Sequence, residues 1–261
     1  MSFARSSRSL VRASLLMALR YRGNFFFQLL NVIVVLSWTL VPLIVVFGGR
    51  KTIAGFSFDQ ALLVTAWFTF EKGILDGFIM PSLTRAIEYI RSGKFDFVLL
   101  KPIDPQLIAS IGNVNFFAMF NIPAAAALLG IALHRLHHVP SLREGVVALV
   151  LTLAATAILY SINMLVLSTA FFVARIDNLV YMVSSLFDAG RWPSTVFHGG
   201  ARILFTFVLP LGLMTTFPAL AVVGQLSSEG VWIDLGVAVF ALAFSRALFL
   251  RAIRSYTSAG G

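Results

Sequence analysis

"NFFFQLLNVIVVLSWTLVPLIVVFGG", Asn24 to Gly49, contains no charged side chain; Arg22 stands before it, and Arg50 and Lys51 follow. Roughly 20 consecutive apolar residues of helix cross a hydrocarbon core about 30 Å thick, so this run is long enough to span a bilayer. Comparable runs recur. One goes from about Asp59 to Pro81, interrupted by Glu71, Lys72 and Asp76. Leu107 to Leu133 and Gly145 to Ala174 are free of charge, and so is Ile203 to Ser228; a last run covers about Val231 to Leu250. Across all 261 residues, 59% are hydrophobic and 12% charged, with a mean hydropathy of +0.90. An ordinary soluble domain is roughly one quarter charged. Inside a bilayer the backbone must satisfy its own hydrogen bonds, and runs of this length do so as helices. The expected fold class is an all-α polytopic membrane protein, one membrane domain over residues 1–261 without solenoid repeat, low-complexity tract or soluble domain.

The net charge of +9 would point to nucleic acid in a soluble protein. Here Arg and Lys collect at the ends of apolar runs, where they set membrane orientation, so no nucleic-acid partner is expected. The absence of Cys excludes a disulfide framework and a thiolate metal site. The N-terminus, "MSFARSSRSLVRASLLMALRYRGN", has no convincing cleavage site and reads as retained. Val11, Leu15 and Ala18 on one side and Arg8 and Arg12 on another fit an amphipathic helix over residues 1–22 lying on the cytoplasmic leaflet, and equally fit a basic tail.

Six crossings put both termini on one side. Counting Asn178 to Phe187 as part of span five, that side gathers Arg5, Arg8, Arg12, Arg20, Arg22, Arg85, Arg91, Lys94, Lys101, Arg175, Arg246, Arg251 and Arg254. The opposite side receives Arg50, Lys51, Arg135, Arg143, Arg191 and Arg202. The richer side is cytoplasmic, and both termini with it. Taking Ile203 to Ser228 as span five instead moves Arg191 and Arg202 inside and sharpens the split. Ten uncharged residues from Asn178 are too few to cross unaided, so the first assignment needs Asp188 and Arg191 near the outer interface.

Between spans two and three lies "EYIRSGKFDFVLLKPIDP", Glu88 to Pro105, with charges at Glu88, Arg91, Lys94, Asp96, Lys101 and Asp104. A mere connection would not need Phe95, Phe97, Val98, Leu99 and Leu100 among them. The "RSGK" turn before and the two prolines of "KPIDP" after delimit a short amphipathic element between two bends. Its apolar side chains bury against the headgroup boundary, the protein's own helices or a partner's groove; the residues alone leave all three open.

The segment "IRSGKFDFVLLKPIDP" resembles the cytoplasmic loop of the ABC-2 type permeases that carry a G-x-x-D-x-x-L-x-(K/R)-P signature after the second span, matched here by Gly93, Asp96, Leu99, Lys101 and Pro102. "YRGNFFFQ" entering span one, "RWPSTVF" followed by "FVLPLGLMTTFPALAVVG", and the tail "RAIRSYTSAGG" fit the same group in order and spacing. The resemblance implies a coupling helix within residues 82–106 that docks in a groove of a separate ATPase. Phe97, Val98, Leu99 and Leu100 would fill the groove, with Lys94, Asp96, Lys101 and Asp104 at its rim and the prolines stiffening the lever. It also implies an extracytoplasmic re-entrant region over 192–228, for which Pro210 and Pro218 suit a broken segment, and so favours the first assignment of span five.

Ionisable residues inside a span cost roughly 2.5 to 3.5 kcal/mol each at its centre. Glu71, Lys72 and Asp76 are therefore candidates for a translocation path or subunit interface, with Lys72 and Asp76 four apart and able to pair on one helix face. The bland alternative is that span two continues past the bilayer and leaves them near the headgroups. His134, His137 and His138 have only Glu144 as a nearby acid and read as a polar outer loop, not a metal site. Phe25, Phe26, Phe27, Trp67, Trp192 and Trp232 read as interface anchors or lipid-facing bulk. There is no G-x-x-x-x-G-K-[ST], H-E-x-x-H or G-x-S-x-G, so no enzyme is expected and no cofactor on this chain.

The resemblance thus implies the membrane-spanning subunit of a bacterial ABC-2 type exporter in the cytoplasmic membrane, carrying amphiphilic, drug-like or lipid-like substrates. Its partners would be ATPase subunits, which bind the ATP and Mg, a second permease copy or homologous permease, and lipid. Two rivals remain from the residues themselves: an ion-coupled secondary transporter using Glu71, Lys72 and Asp76, and a membrane scaffold that transports nothing.

Overall fold

The computed structural model describes residues 22–110, 113–173 and 176–256. The surface helix expected over 1–22 falls, apart from Arg22, outside them. The first helix, α1, runs Arg22–Phe47 with Pro42 inside it. A two-stranded antiparallel ribbon follows, β1 Thr52–Ile53 with β2 Phe56–Ser57, turned by Ala54 and Gly55 at positive φ. Ser57 and Gln60 then form a reciprocal cap that starts α2, Phe58–Ile74. A π-helical turn, Leu75–Ile79, carries the same helix on into α3, Met80–Arg91.

At 1.5 Å per residue, the helix from Phe58 to Arg91 is about 50 Å long, well beyond a bilayer's hydrocarbon core. Pro81 has no N–H to offer the carbonyl of Gly77 four residues earlier. That carbonyl instead accepts from the backbone N–H of Asn115 at 2.8 Å. Met119 packs 3.1 Å from where a side chain on Gly77 would begin, so a larger residue there would have to push Met119 aside.

After α4 (Asp96–Leu99) and α5 (Pro105–Ser110), the chain resumes as a 3-10 turn, Ala118–Phe120, and α6, Asn121–Arg135. The charge-free run from Leu107 to Leu133 is therefore not one helix. Asn113 bonds Ser82 through its backbone N–H, and the Asn115 side chain accepts from Phe117 and Ala118 N–H groups, a local alternative to helix of the kind Asn favours. Ser141 and Glu144 cap α7, Leu142–Thr169. Next come α8, Asp177–Phe187, with 3-10 turns at Asp188–Arg191 and Ser194–Val196. Then α9, Gly199–Ile203, leads through a π turn, Leu204–Val208, to a bend, and the turn Gly212–Thr216 leads into α10, Phe217–Ala221. The last helix, α11, runs Ser228–Arg254, capped by Ser227.

Among the described residues, Ala118–Arg135, Leu142–Thr169 and Ser228–Arg254 are each long and apolar enough to cross a membrane. Their outer faces are apolar too: Leu153, Phe240 and, on α1, Val45 are all exposed. That surface suits lipid and not water.

Two ends of the bundle can be told apart. At the ribbon end Arg135 meets Asp59, Gln60 donates to Gln225 (2.8 Å), Thr195 donates to the Ala54 carbonyl (2.9 Å), and Phe47 packs edge-on against Phe58. At the loop end Phe95, Val98, Leu167, Ile176 and Phe249 share one buried cluster. Helices α1 and α6 run toward the ribbon end; α2 with α3, α7 and α11 run away from it.

The stretch from Ile176 to Thr195 also connects the two ends, although α8 alone has 11 residues. Its 3-10 continuation, rising about 2 Å per residue, makes up the length. Asp188 lies away from the ribbon end. It meets Lys72, which is about 20 Å along α2 from Asp59. Lys72 compensates its charge there, and Phe68 receives the Arg191 guanidinium over its ring. The segments Gly199–Val208 and Gly212–Ala221 meet at 69°. Thr195 before them and Gln225 after them both bond at the ribbon end, so this pair enters and leaves by one end.

Candidate functional site

The loop after α3 is built from the turn outward. Ser92 closes the helix onto Glu88, and Gly93 takes φ +72°, a conformation that a side chain resists. The chain doubles back so that Phe95 N–H reaches the Tyr89 carbonyl at 3.0 Å and one turn, α4, begins. Phe95 is fully buried in an aromatic nest, edge-on to Phe171 (5.2 Å) and Tyr256 (6.0 Å), with Phe171 in turn against Phe249 (5.9 Å). Val98, three residues on, faces the same core. The opposite face of α4 is bare: Phe97 is 67% exposed, Leu100 80% and Leu99 36%, with Ile103 and Leu107 exposed beside them.

Charges frame this face. Lys94, Lys101 and Pro102 are exposed. Asp96 is half-buried beside Tyr256, whose phenol is pushed up by burial and then by the Asp96 charge. Asp104 turns inward to its own chain. Its Oδ1 accepts from the Gln106 N–H (2.8 Å) and from Arg246 Nη1 (2.8 Å), and its Oδ2 from Arg246 Nη2. The Arg246 hydrogen bond, aided by those backbone donors, holds the Asp104 carboxyl below its ordinary range. The loop is thus fastened to α11 twice, by Phe95 through Phe171 to Phe249, and by Asp104 through Arg246.

The second constellation lies inside the bundle. Lys72 Nζ is 3.6 Å from Asp76 Oδ2, the pairing expected four residues apart, but closer to Asp188 Oδ1, at 3.1 Å. Glu71 points elsewhere. Fully buried, it accepts from the Thr156 hydroxyl of α7 (3.0 and 3.2 Å). Asp234, in the first turns of α11, is also fully buried, and neither of its oxygens has a hydrogen-bond partner. Its helix neighbours Leu235 and Ala238 pack in one cluster with Phe68 and Leu75, which flank Glu71 on α2 and its continuation, and with Ala154, Ala155 and Ile158 of α7.

A family model described as ABC-2 family transporter protein matches residues 33–260. The chain belongs to this family. No curated protein and no solved structure matches it. As an ABC-2 family member it is the membrane component of an ABC transporter; the family works with ABC ATPase subunits and is not itself catalytic.

In this ABC-2 family chain, the residues singled out from sequence separate into several places. Gly93, Lys94, Asp96, Phe97, Leu99, Leu100, Lys101 and Pro102 do form one compact loop. Asp104, though exposed, is bonded to Arg246, and Val98 belongs to the core, so the "FVLL" face divides between inside and outside. Lys72, Asp76 and Asp188 form one group; Glu71 belongs with Thr156 and Asp234 instead. Pro210 stands at the 69° bend, its carbonyl accepting from Leu213 (3.0 Å), and Pro218 sits in the first turn of α10, where no N–H is needed. Asp234 was missed, though a lone acid near the start of an apolar run is a signal in itself. The His134 and His137 rings stand 6.4 Å apart, and His138 turns to Glu144 (3.4 Å). Among the described residues no group of three or more His, Asp or Glu could hold a metal.

Proposed function

We propose that this chain is the permease subunit of an ATP-driven exporter and that its ATPase grips the bare face of α4 formed by Phe97, Leu99, Leu100 and Ile103, with Lys94 and Lys101 at the rim. The observation that carries the reading is the mounting of that face: an exposed apolar patch on one turn of helix whose back, Phe95 and Val98, is fully packed. An element fixed on one side and bare on the other moves as a body when a partner pushes it. Because both fastenings lead to α11, ATPase closure is delivered to that helix first, through Phe249 and Arg246.

In this reading the loop end is cytoplasmic, in agreement with its wealth of Arg and Lys, and so are both termini. Crossings one to six are α1, α2 with α3, α6, α7, the stretch 176–196 and α11, and the bent pair dips in from outside. Broken backbone at that depth is tolerated because it packs in protein: Leu209, Leu211 and Met214 are buried against Phe68 and Phe187. The membrane is the bacterial cytoplasmic membrane, and a second permease, identical or homologous, completes the path for an amphiphilic, drug-like or lipid-like substrate. ATP and Mg stay on the partner.

The test is purification through a tag on this chain. An ABC ATPase co-purifies, and Leu100→Asp or Phe97→Asp releases it, while Val139→Asp, an exposed apolar site in the loop after α6, does not. Full association of both loop variants would place the docking face elsewhere. Export that survives ATP depletion and follows a proton or sodium gradient would favour the ion-coupled alternative.

A further inference from the structure

Glu71 and Asp234 are the two acids among the described residues that are fully buried. Neither is paired with a cation there: the one near Glu71 in sequence, Lys72, is engaged by Asp188 and Asp76. Thr156 offers Glu71 a single hydroxyl proton, which its geometry also directs at the Thr152 carbonyl (3.0 Å). Asp234 receives none. Among the described residues no ion pair reaches either acid. The stretch Gly212–Ala221, which touches α11, contains no titratable residue. On α7, Arg143 stands exposed in the first turn, Glu144 is held by Ser141 and His138, and Tyr160 by Gln106 and Ser110. On α11 itself, Arg246 is taken by Asp104, Glu229 stands exposed in the first turn, and Arg251 and Arg254 stand exposed in the last.

Burial without a cation or a full set of donors strongly disfavours a bare carboxylate at either position. The ligand that removes the cost must reach Asp234, where a water-sized sphere cannot touch the side chain. A metal ion needs several oxygen donors around it. A proton needs no volume, and it turns an acceptor-only group into a donor that its neighbour can accept from.

We propose that Glu71 and Asp234 form a proton-binding site inside the bundle, between α2, α7 and α11. The site concerns the interior packing of this chain alone. It does not rest on the docking of an ATPase.

The experiment is infrared spectroscopy of the full-length chain in lipid nanodiscs near neutral pH, with wild type, Asp234→Asn, Glu71→Gln and the double variant. The wild type shows the carbonyl stretch of protonated carboxylic acid, each single variant reduces it, and the double variant reduces it further. A band of unchanged intensity in the variants, or loss of carboxylate bands instead, overturns the proposal. Should Asp234→Asn fail to fold, Glu71→Gln gives the same reading from the other side. Since neither ATP nor transport is involved, failure here leaves the docking proposal standing, and failure of docking leaves this one.

Discussion

Asp104 and Arg246, 142 residues apart in the chain, share two hydrogen bonds, and the same carboxylate caps the start of α5. One side chain thus sets where the loop ends and ties that point to α11. Asp104→Ala loses both functions: about 1 kcal/mol for the cap and under about 1 kcal/mol for an ion pair this exposed. Asp104→Asn keeps an acceptor for the cap and loses less. The Asp104 carboxyl is held below its ordinary value of 3.8. Its contribution is therefore complete above that value and disappears as the pH falls through the lowered one. Thermal unfolding in detergent should show the gap between wild type and Asp104→Ala at neutral pH narrowing below about pH 3.8.

Gly93 tests the turn that aims α4. With φ at +72°, any side chain there costs roughly 1 to 2 kcal/mol. Gly93→Ala should lower the unfolding temperature modestly and weaken ATPase co-purification more than Ser92→Ala, which removes one exposed hydroxyl from the same turn. Equal retention of the ATPase by both variants would mean that the turn does not orient the docking face.

Phe95 and Leu100 lie five positions apart and should behave oppositely. Truncating fully buried Phe95 opens a cavity in the aromatic nest, so Phe95→Ala costs about 3 to 5 kcal/mol. Leu100 is 80% exposed, and Leu100→Ala stays within about 0.5 kcal/mol. Unfolding measured on the chain without partner separates the two. Comparable losses would mean that Leu100 is covered.

The membrane class was legible because charge-free runs such as Asn24 to Gly49 have one stable solution in hydrocarbon. The break before Ala118 was not, since it depends on Asn115 finding the Gly77 carbonyl that Pro81 leaves free, a tertiary event. Nor could the pattern of a one-turn helix say that Val98 faces the core while Leu100 does not; four residues are too few to define a period. The tie of Asp104 to Arg246 was not legible because the partner is distant in the chain. Lys72 and Asp76 were legible as a local pair, whereas the stronger contact, to Asp188, comes from another segment. Asp234 stood in plain view as an acid in an apolar run, but its meaning required knowing that its oxygens find no partner and that Lys72 is engaged by Asp76 and Asp188.

Lys72 supplies the last prediction. Its ammonium is 3.1 Å from Asp188, within hydrogen-bond range, and 3.6 Å from Asp76, outside it. All three side chains are partly exposed, so the cost of losing a bond is modest, about 1 kcal/mol for Asp188→Asn and less for Asp76→Asn. Lys72→Met should cost most, because it leaves two carboxylates facing each other with nothing between them. Asp188 also stands where α8 passes into its 3-10 continuation, so loss of its tie to Lys72 should loosen the stretch 176–196 selectively. Hydrogen exchange in nanodiscs would locate that loosening, and unfolding temperatures should rank Lys72→Met below Asp188→Asn and that below Asp76→Asn. A reversal of the two Asn variants would make the neighbour within α2, and not the contact to Asp188, the dominant partner.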